Sequence, residues 1–166
     1  MKASRPRHKI PPDKIDLFVE LITLVFLLIT SSLPILYYSK LPDEIPIHFN
    51  MKGIADGFAD KHFIFLLPLL AAGQFVLLKY LNKNPHKYNY PRPITEENAI
   101  DQYTAATKMI RLLNLFCTAL FTYLTVHIIK SAIRNTEGLG PYFIFVVVFG
   151  ILVLSAYYYR RVSESS

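Results

Sequence analysis

The stretch Leu41–Lys61, LPDEIPIHFNMKGIADGFADK, decides how this chain is read. It is polar and lies between two long apolar runs. A plain connector between two helices needs only a few turn residues. This one is stiffened by Pro42 and Pro46 and turned by Gly53 and Gly57. It also carries His48, Asn50, Asp56 and Asp60, side chains that bind or cap. Any site in the chain is expected here.

Outward from this stretch the composition is that of a membrane protein. Of 166 residues, 52% are hydrophobic and only 18% charged, against roughly 25% charged in a soluble domain. Four runs have the roughly 17–25 residues that cross a bilayer: Leu17–Tyr38, His62–Leu81, Met109–Lys130 and Tyr142–Tyr159. The expected fold is an all-α integral membrane protein. It is a single four-transmembrane-helix bundle with an ordered extracytoplasmic loop, 39–61, between helices 1 and 2. The remaining segments are a tail 1–16, an inner loop and amphipathic helix 82–108, an outer loop 131–141 and a tail 160–166. Cys117 stands alone, so no intramolecular disulfide forms. The first apolar run is too long for a cleaved secretion signal and lacks a small-x-small site, which predicts an uncleaved anchor.

Charge sets the orientation. With the N-terminus inside, 13 of the 18 Lys and Arg residues fall in inner segments. The positive-inside rule then places both termini in the cytoplasm and Leu41–Lys61 outside. The net charge of +6 is mostly juxtamembrane, so no nucleic-acid partner is expected and membrane lipids are. There is no Trp. Tyr37–Tyr38, Tyr80, Tyr142 and Tyr157–Tyr159 stand at run ends as the interfacial belt.

The helices carry their own signals. The first starts near Asp13 or Asp16, with Glu20 near its cytoplasmic end, either paired with Lys or functional. Asp60 is the expected N-cap of the second. The inner segment NKNPHKYNYPRPI is irregular, and Thr95 caps a helix that runs into the third span. Its first part is expected to lie along the inner membrane surface. On the third span, Asn114, Thr118, Thr122 and Thr125 share one face. Such a face serves helix packing or lines a hydrated path; the span has no ionisable group at its middle, which favours packing. The last span reads as lipid-facing. No internal repeat suggests an inverted-repeat transporter.

Within the loop, Ile45, Ile47 and Phe49 alternate with Pro46, His48 and Asn50, a short extended piece with one apolar face. Asn50-Met51-Lys52-Gly53 reads as a turn with Gly53 left-handed. Phe49 and Phe58 are expected to anchor the loop on the bundle. Asn50 bonds its own backbone, Asp56 caps a short helical turn and Lys61 touches headgroups. His48 pairs with Asp56 or Asp60, or contacts a ligand. One His with scattered carboxylates lacks metal-site spacing, so neither a metal nor another cofactor is expected.

These residues resemble a known family. Leu41-Pro42, Ile45-Pro46, His48-Phe49-Asn50, Gly53, Asp56 and Lys61 follow the pattern LPxxIPxHxNxxGxxDxxxxK of the DUF1648 membrane domain. That domain also forms the N-terminal part of SdpI-type bacterial immunity proteins. The likeness covers roughly Leu17–Leu81, and YNYPRPITEEN is similar to members without the longer SdpI architecture. Phe58 stands where the family often has Trp. The resemblance implies a bacterial inner-membrane protein with an extracytoplasmic motif loop. SdpI-type proteins protect against a secreted peptide toxin and relay a signal by holding a repressor at the membrane; they carry further spans.

Three function classes follow. The first is a non-enzymatic module whose loop recognises a peptide, a lipid or a membrane-protein partner, with His48, Asn50, Asp56 and Asp60 making polar contacts. Immunity or sensing is one version of it. The second is a small transporter or channel subunit with Asn114–Thr125 lining the path. The third, ranked last, is an enzyme using His48; no HExxH, GxSxG or phosphate loop is present.

Overall fold

The computed structural model describes residues 5–134, 138–140 and 142–164. Parts of the expected tails and of the connector 131–141 lie outside these residues. The chain is mostly helical. The helices are α1 (Lys14–Tyr37), α2 (Leu66–Leu81), α3 (Ala99–Arg134) and α4 (Phe143–Glu164). Strands β1 (Glu44–Phe49) and β2 (Ala55–Asp60) form one antiparallel hairpin between α1 and α2. Short 3-10 turns extend α1 to Lys40 and lead into α2 from Lys61. Counting these turns, four helices are long and apolar enough to cross a membrane, as a multi-pass membrane protein requires.

The start of α1 follows from its sequence. Asp13 is the N-cap and accepts the Asp16 N–H at 2.8 Å, while Asp16 accepts the Asp13 N–H at 3.0 Å. This reciprocal box satisfies backbone donors that have no partner within the helix. Lys108 and the Asp16 N–H hold the Asp13 carboxyl below the usual carboxylate range. At the other end of the inner segment, Thr95 closes a turn with Asn98 rather than starting the helix itself, and α3 begins at Ala99.

Two expectations change. The amphipathic part runs on into the third span as expected, in one 36-residue helix. Its first turns, however, are largely enclosed by protein rather than laid out on a surface: Ala99, Gln102, Tyr103, Ala105, Ala106 and Thr107 are buried. The Tyr103 hydroxyl donates to the Pro6 carbonyl at 2.9 Å. Gln102 donates to the Val162 carbonyl at 3.2 Å. Pro6 and the end of α4 are thus packed on the start of α3. Secondly, α4 continues past Tyr159, so the segment after it begins as helix.

The bundle is organised around α3, which packs on α1, α2 and α4. The α1–α3 seam is polar rather than oily. Asp16, Thr23 and Thr30 on α1 recur at heptad spacing, and so do Arg111, Thr118 and Thr125 on α3; all six are buried. A strict seven-residue repeat keeps one stripe facing its partner. Most of the hydroxyls bond back into their own helix: Thr23 to Val19, Thr30 to Phe26, Thr118 to Asn114 and Thr125 to Phe121. Satisfied locally, they present small surfaces that let helix backbones approach. Thr122 bonds across the seam, to the Thr30 hydroxyl at 2.6 Å and to the Phe26 carbonyl at 3.2 Å. Asn114 joins α2 instead, accepting from Gln74 at 2.7 Å and donating to the Phe75 carbonyl.

The seam ends in charge. Arg111, 8% exposed, lies 3.4 Å from Asp16 and donates to Glu20 at 3.0 Å. Lys108 bridges Asp13 and Asp16, and Lys79 of α2 reaches Glu20 at 3.5 Å. Glu20 is therefore paired with basic residues of α2 and α3. By contrast, α4 exposes most of its apolar surface, including Phe145, Phe149 and Leu152. An isolated soluble domain rarely leaves so large a patch uncovered.

Arg111→Met is expected to destabilise the protein by about 3 kcal/mol, because it removes the buried partner of Asp16 and Glu20 and leaves each only a lysine. Thermal unfolding in detergent measures this. A double-mutant cycle on Thr30→Val and Thr122→Val should give a coupling of roughly 0.5–2 kcal/mol; a coupling of zero would mean that the hydroxyl contact contributes nothing.

Candidate functional site

The hairpin is built on one end of the bundle. Ile45 (1% exposed) and Leu41 pack with Ile64, Ile128 and Ile129, and Phe49 lies against that cluster. Phe49 therefore anchors the hairpin as expected of it. Phe58 does not: it is 59% exposed. The expected alternation of Ile45, Ile47 and Phe49 also fails. The β1–β2 register shifts between Pro46 and His48 and again between His48 and Phe49. Such irregularities leave extra residues on one strand and re-aim its side chains. Ile45 and Pro46 are consecutive and both buried, whereas Ile47 is exposed.

The tip is a tight turn made by Asn50 and Gly53. The Asn50 side-chain oxygen accepts the Lys52 N–H at 2.9 Å and the Ile54 N–H at 3.2 Å. The Gly53 N–H donates to the Asn50 carbonyl at 2.8 Å. Gly53 has φ +76°, a region that favours glycine. Asn50 is thus committed to its own backbone. Pro42 is exposed in the approach to β1, and Gly57 lies within β2 opposite His48 rather than in a turn.

A second segment docks on this tip, and nothing in the sequence reading pointed to it. The Leu139 N–H donates to the Gly53 carbonyl at 2.9 Å. A Cβ at Gly138 would fall 2.2 Å from the Gly53 carbonyl oxygen and 2.5 Å from the Phe49 ring. α3 holds the segment from the other side. Tyr123 donates to the Leu139 carbonyl at 2.6 Å, and His127 Nδ1 donates to the Gly138 carbonyl at 3.1 Å. The Tyr123 and His127 rings stack at 4.1 Å. The legible signal was Gly138-Leu139-Gly140 following His127, a glycine pair able to approach backbone closely.

The polar groups sort into pairs. His48 Nδ1 bonds the Asp56 carboxylate, and both side chains are substantially exposed. Asp56 is in β2 and caps no helical turn. Asp60 accepts the His62 N–H at 2.8 Å, capping the turn into α2, and also contacts the His62 ring. These bonds hold the Asp60 carboxyl below the usual aspartate range, the backbone bond contributing most. His62 lies against Tyr38, ring centroids 5.6 Å apart. Lys61 does not reach outward: it pairs with Asp43 at 3.0 Å and sits 5.6 Å over the Tyr38 ring, closing the base of the hairpin. The two His–Asp pairs stay separate. Among the described residues no group of three or more His, Cys, Asp or Glu is arranged to hold a metal ion. The Asn114–Thr125 face is not part of this site.

The family model described as Domain of unknown function (DUF1648) matches residues 25–72, from the middle of α1 through the hairpin into α2. No curated protein and no solved structure shows significant similarity to the chain.

Gly53→Ala is expected to cost roughly 1–3 kcal/mol, from its left-handed backbone and from a Cβ 2.7 Å from the Gly140 oxygen. Asn50→Ala should cost about 1–3 kcal/mol, whereas His48→Ala/Asp56→Ala should stay within about 1 kcal/mol. Thermal unfolding of the purified variants ranks them; an equal loss in all three would remove the distinction. Because the folded Asp60 pKa is depressed, its stabilisation is present above the ordinary aspartate range and is lost as pH falls through the folded value. Hydrogen exchange at the His62 amide should accelerate, relative to its neighbours, on such acidification in the wild type but not in Asp60→Ala.

Proposed function

We propose that this chain is a non-enzymatic, multi-pass protein of the bacterial cytoplasmic membrane whose hairpin recognises a partner outside the cell. Both termini lie inside, as the excess of basic residues at the end opposite the hairpin supports. Lipids surround the four apolar helices. The partner is a peptide or membrane protein that meets the exposed face of the hairpin. Immunity or sensing of the SdpI type is one form this takes.

The observation that carries this reading is a division of labour. Leu41, Ile45, Pro46, Phe49, Asn50 and Gly53 hold the hairpin in place. His48, Asp56, Ile47, Met51, Ile54 and Phe58 remain displayed, with Met51 85% exposed. A mere connector gains nothing by displaying apolar side chains beside an exposed His–Asp pair, whereas an interface uses both. The Thr118–Thr125 hydroxyls, spent on bonds within the bundle, favour recognition over a transport path.

A photo-crosslinking residue placed at Phe58 and, separately, at Met51 is expected to give one adduct of the same mass in living cells. That adduct should disappear in the His48→Ala/Asp56→Ala background. The same residue placed at buried Ile64 should not give it. Absence of any discrete adduct, or adducts indifferent to the double substitution, would sink the proposal.

A further inference from the structure

We propose that a cavity at the opposite end of the bundle binds the phosphate of an anionic phospholipid. This inference rests on the membrane reading but not on partner recognition by the hairpin. The cavity, about 240 Å³, lies between α1, α2 and α3, with Ile10 of the N-terminal segment among its walls. Three cations line it, Lys79, Lys83 and Arg111, against one carboxylate, Glu20. Arg111 is committed to Asp16 and Glu20, and Lys79 reaches Glu20 only at 3.5 Å while its side chain stays half exposed. Lys83 has no carboxylate within ion-pair distance among the described residues. The lining therefore carries surplus positive charge, which calls for an anion.

The rest of the wall says what the anion is attached to. Leu78 and Ile110 face the same space, and the exposed lining is more apolar than polar. A free inorganic ion would leave that surface wetted. A phosphodiester with a glycerol and acyl chains matches both parts. The level is right as well, since Lys79 and Lys83 stand at the end of α2, where headgroups meet a spanning helix. A soluble phosphate ester shares the headgroup chemistry but lacks the chains, so the two sources can be told apart.

The test uses the full chain in detergent, titrated with phosphatidylglycerol or phosphatidylcholine and read by native mass spectrometry. One phosphatidylglycerol is expected to bind tightly, and phosphatidylcholine much less so. Each basic residue near a headgroup contributes about fivefold, so Lys79→Gln/Lys83→Gln should weaken binding roughly 30-fold. Lys40→Gln/Lys52→Gln, which removes equal charge near the hairpin, should leave it unchanged. Lys83 makes no ion pair among the described residues, so Lys83→Gln alone should lose about fivefold with no change in lipid-free unfolding temperature. Equal loss in both double variants, equal binding of phosphatidylcholine, or displacement by millimolar glycerol phosphate would each overturn the proposal.

Discussion

The structure depends on keeping a buried guanidinium company. Arg111 sits on α3 where the α1–α3 seam closes, and an ion in so apolar a bundle needs partners on more than one side. Asp16 and Glu20 come from one face of α1, a turn apart. Asp16 is also the residue that closes the cap of α1. One carboxylate thus starts a helix and pairs with its neighbour, so helix register and helix packing are set together. Lys79 and Lys108 extend the arrangement to α2 and to the cap itself.

From that charged end the seam runs through threonines towards the hairpin. Polar but self-satisfied side chains suit an apolar surrounding, because they pack closely without demanding solvent. In the middle Thr122 crosses to Thr30 and to the Phe26 carbonyl of α1, and Asn114–Gln74 ties in α2. The helices are held by a few directional contacts over a close-packed stripe. The apolar residues, freed from that task, face outward. This inverts the soluble pattern and accounts for why α4, apolar through most of its length, packs on α3 yet leaves most of its apolar surface exposed.

Much of this was legible. Apolar run length gave the four helices, Asp13 or Asp16 marked the start of the first, Asp60 gave the cap leading into the second, and Asn50 with Gly53 gave the turn. The Asn114–Thr125 face was visible from spacing alone. Its partner was not, because Asp16, Thr23 and Thr30 are diluted by apolar residues and only their common seven-residue step relates them. The hairpin register was hidden for a different reason. Period-two reasoning assumes a regular strand, and the irregularities around His48 break that period; Gly57, paired with His48 where the register shifts, marks the place but not the new register. Phe58 was misplaced because hydrophobicity says that a residue prefers burial, not that a surface is available to bury it. The docking of Gly138–Leu139 on Gly53 joins residues far apart in sequence, which no local pattern encodes.

That last contact has a mechanical consequence. Gly140 leads directly towards α4. The point where α4 enters is therefore fixed by a backbone hydrogen bond to the hairpin tip and by the Tyr123–His127 stack. The hairpin tip thus sets where the 22-residue α4 begins, and Gln102, bonded to the Val162 carbonyl, fixes it near the other end.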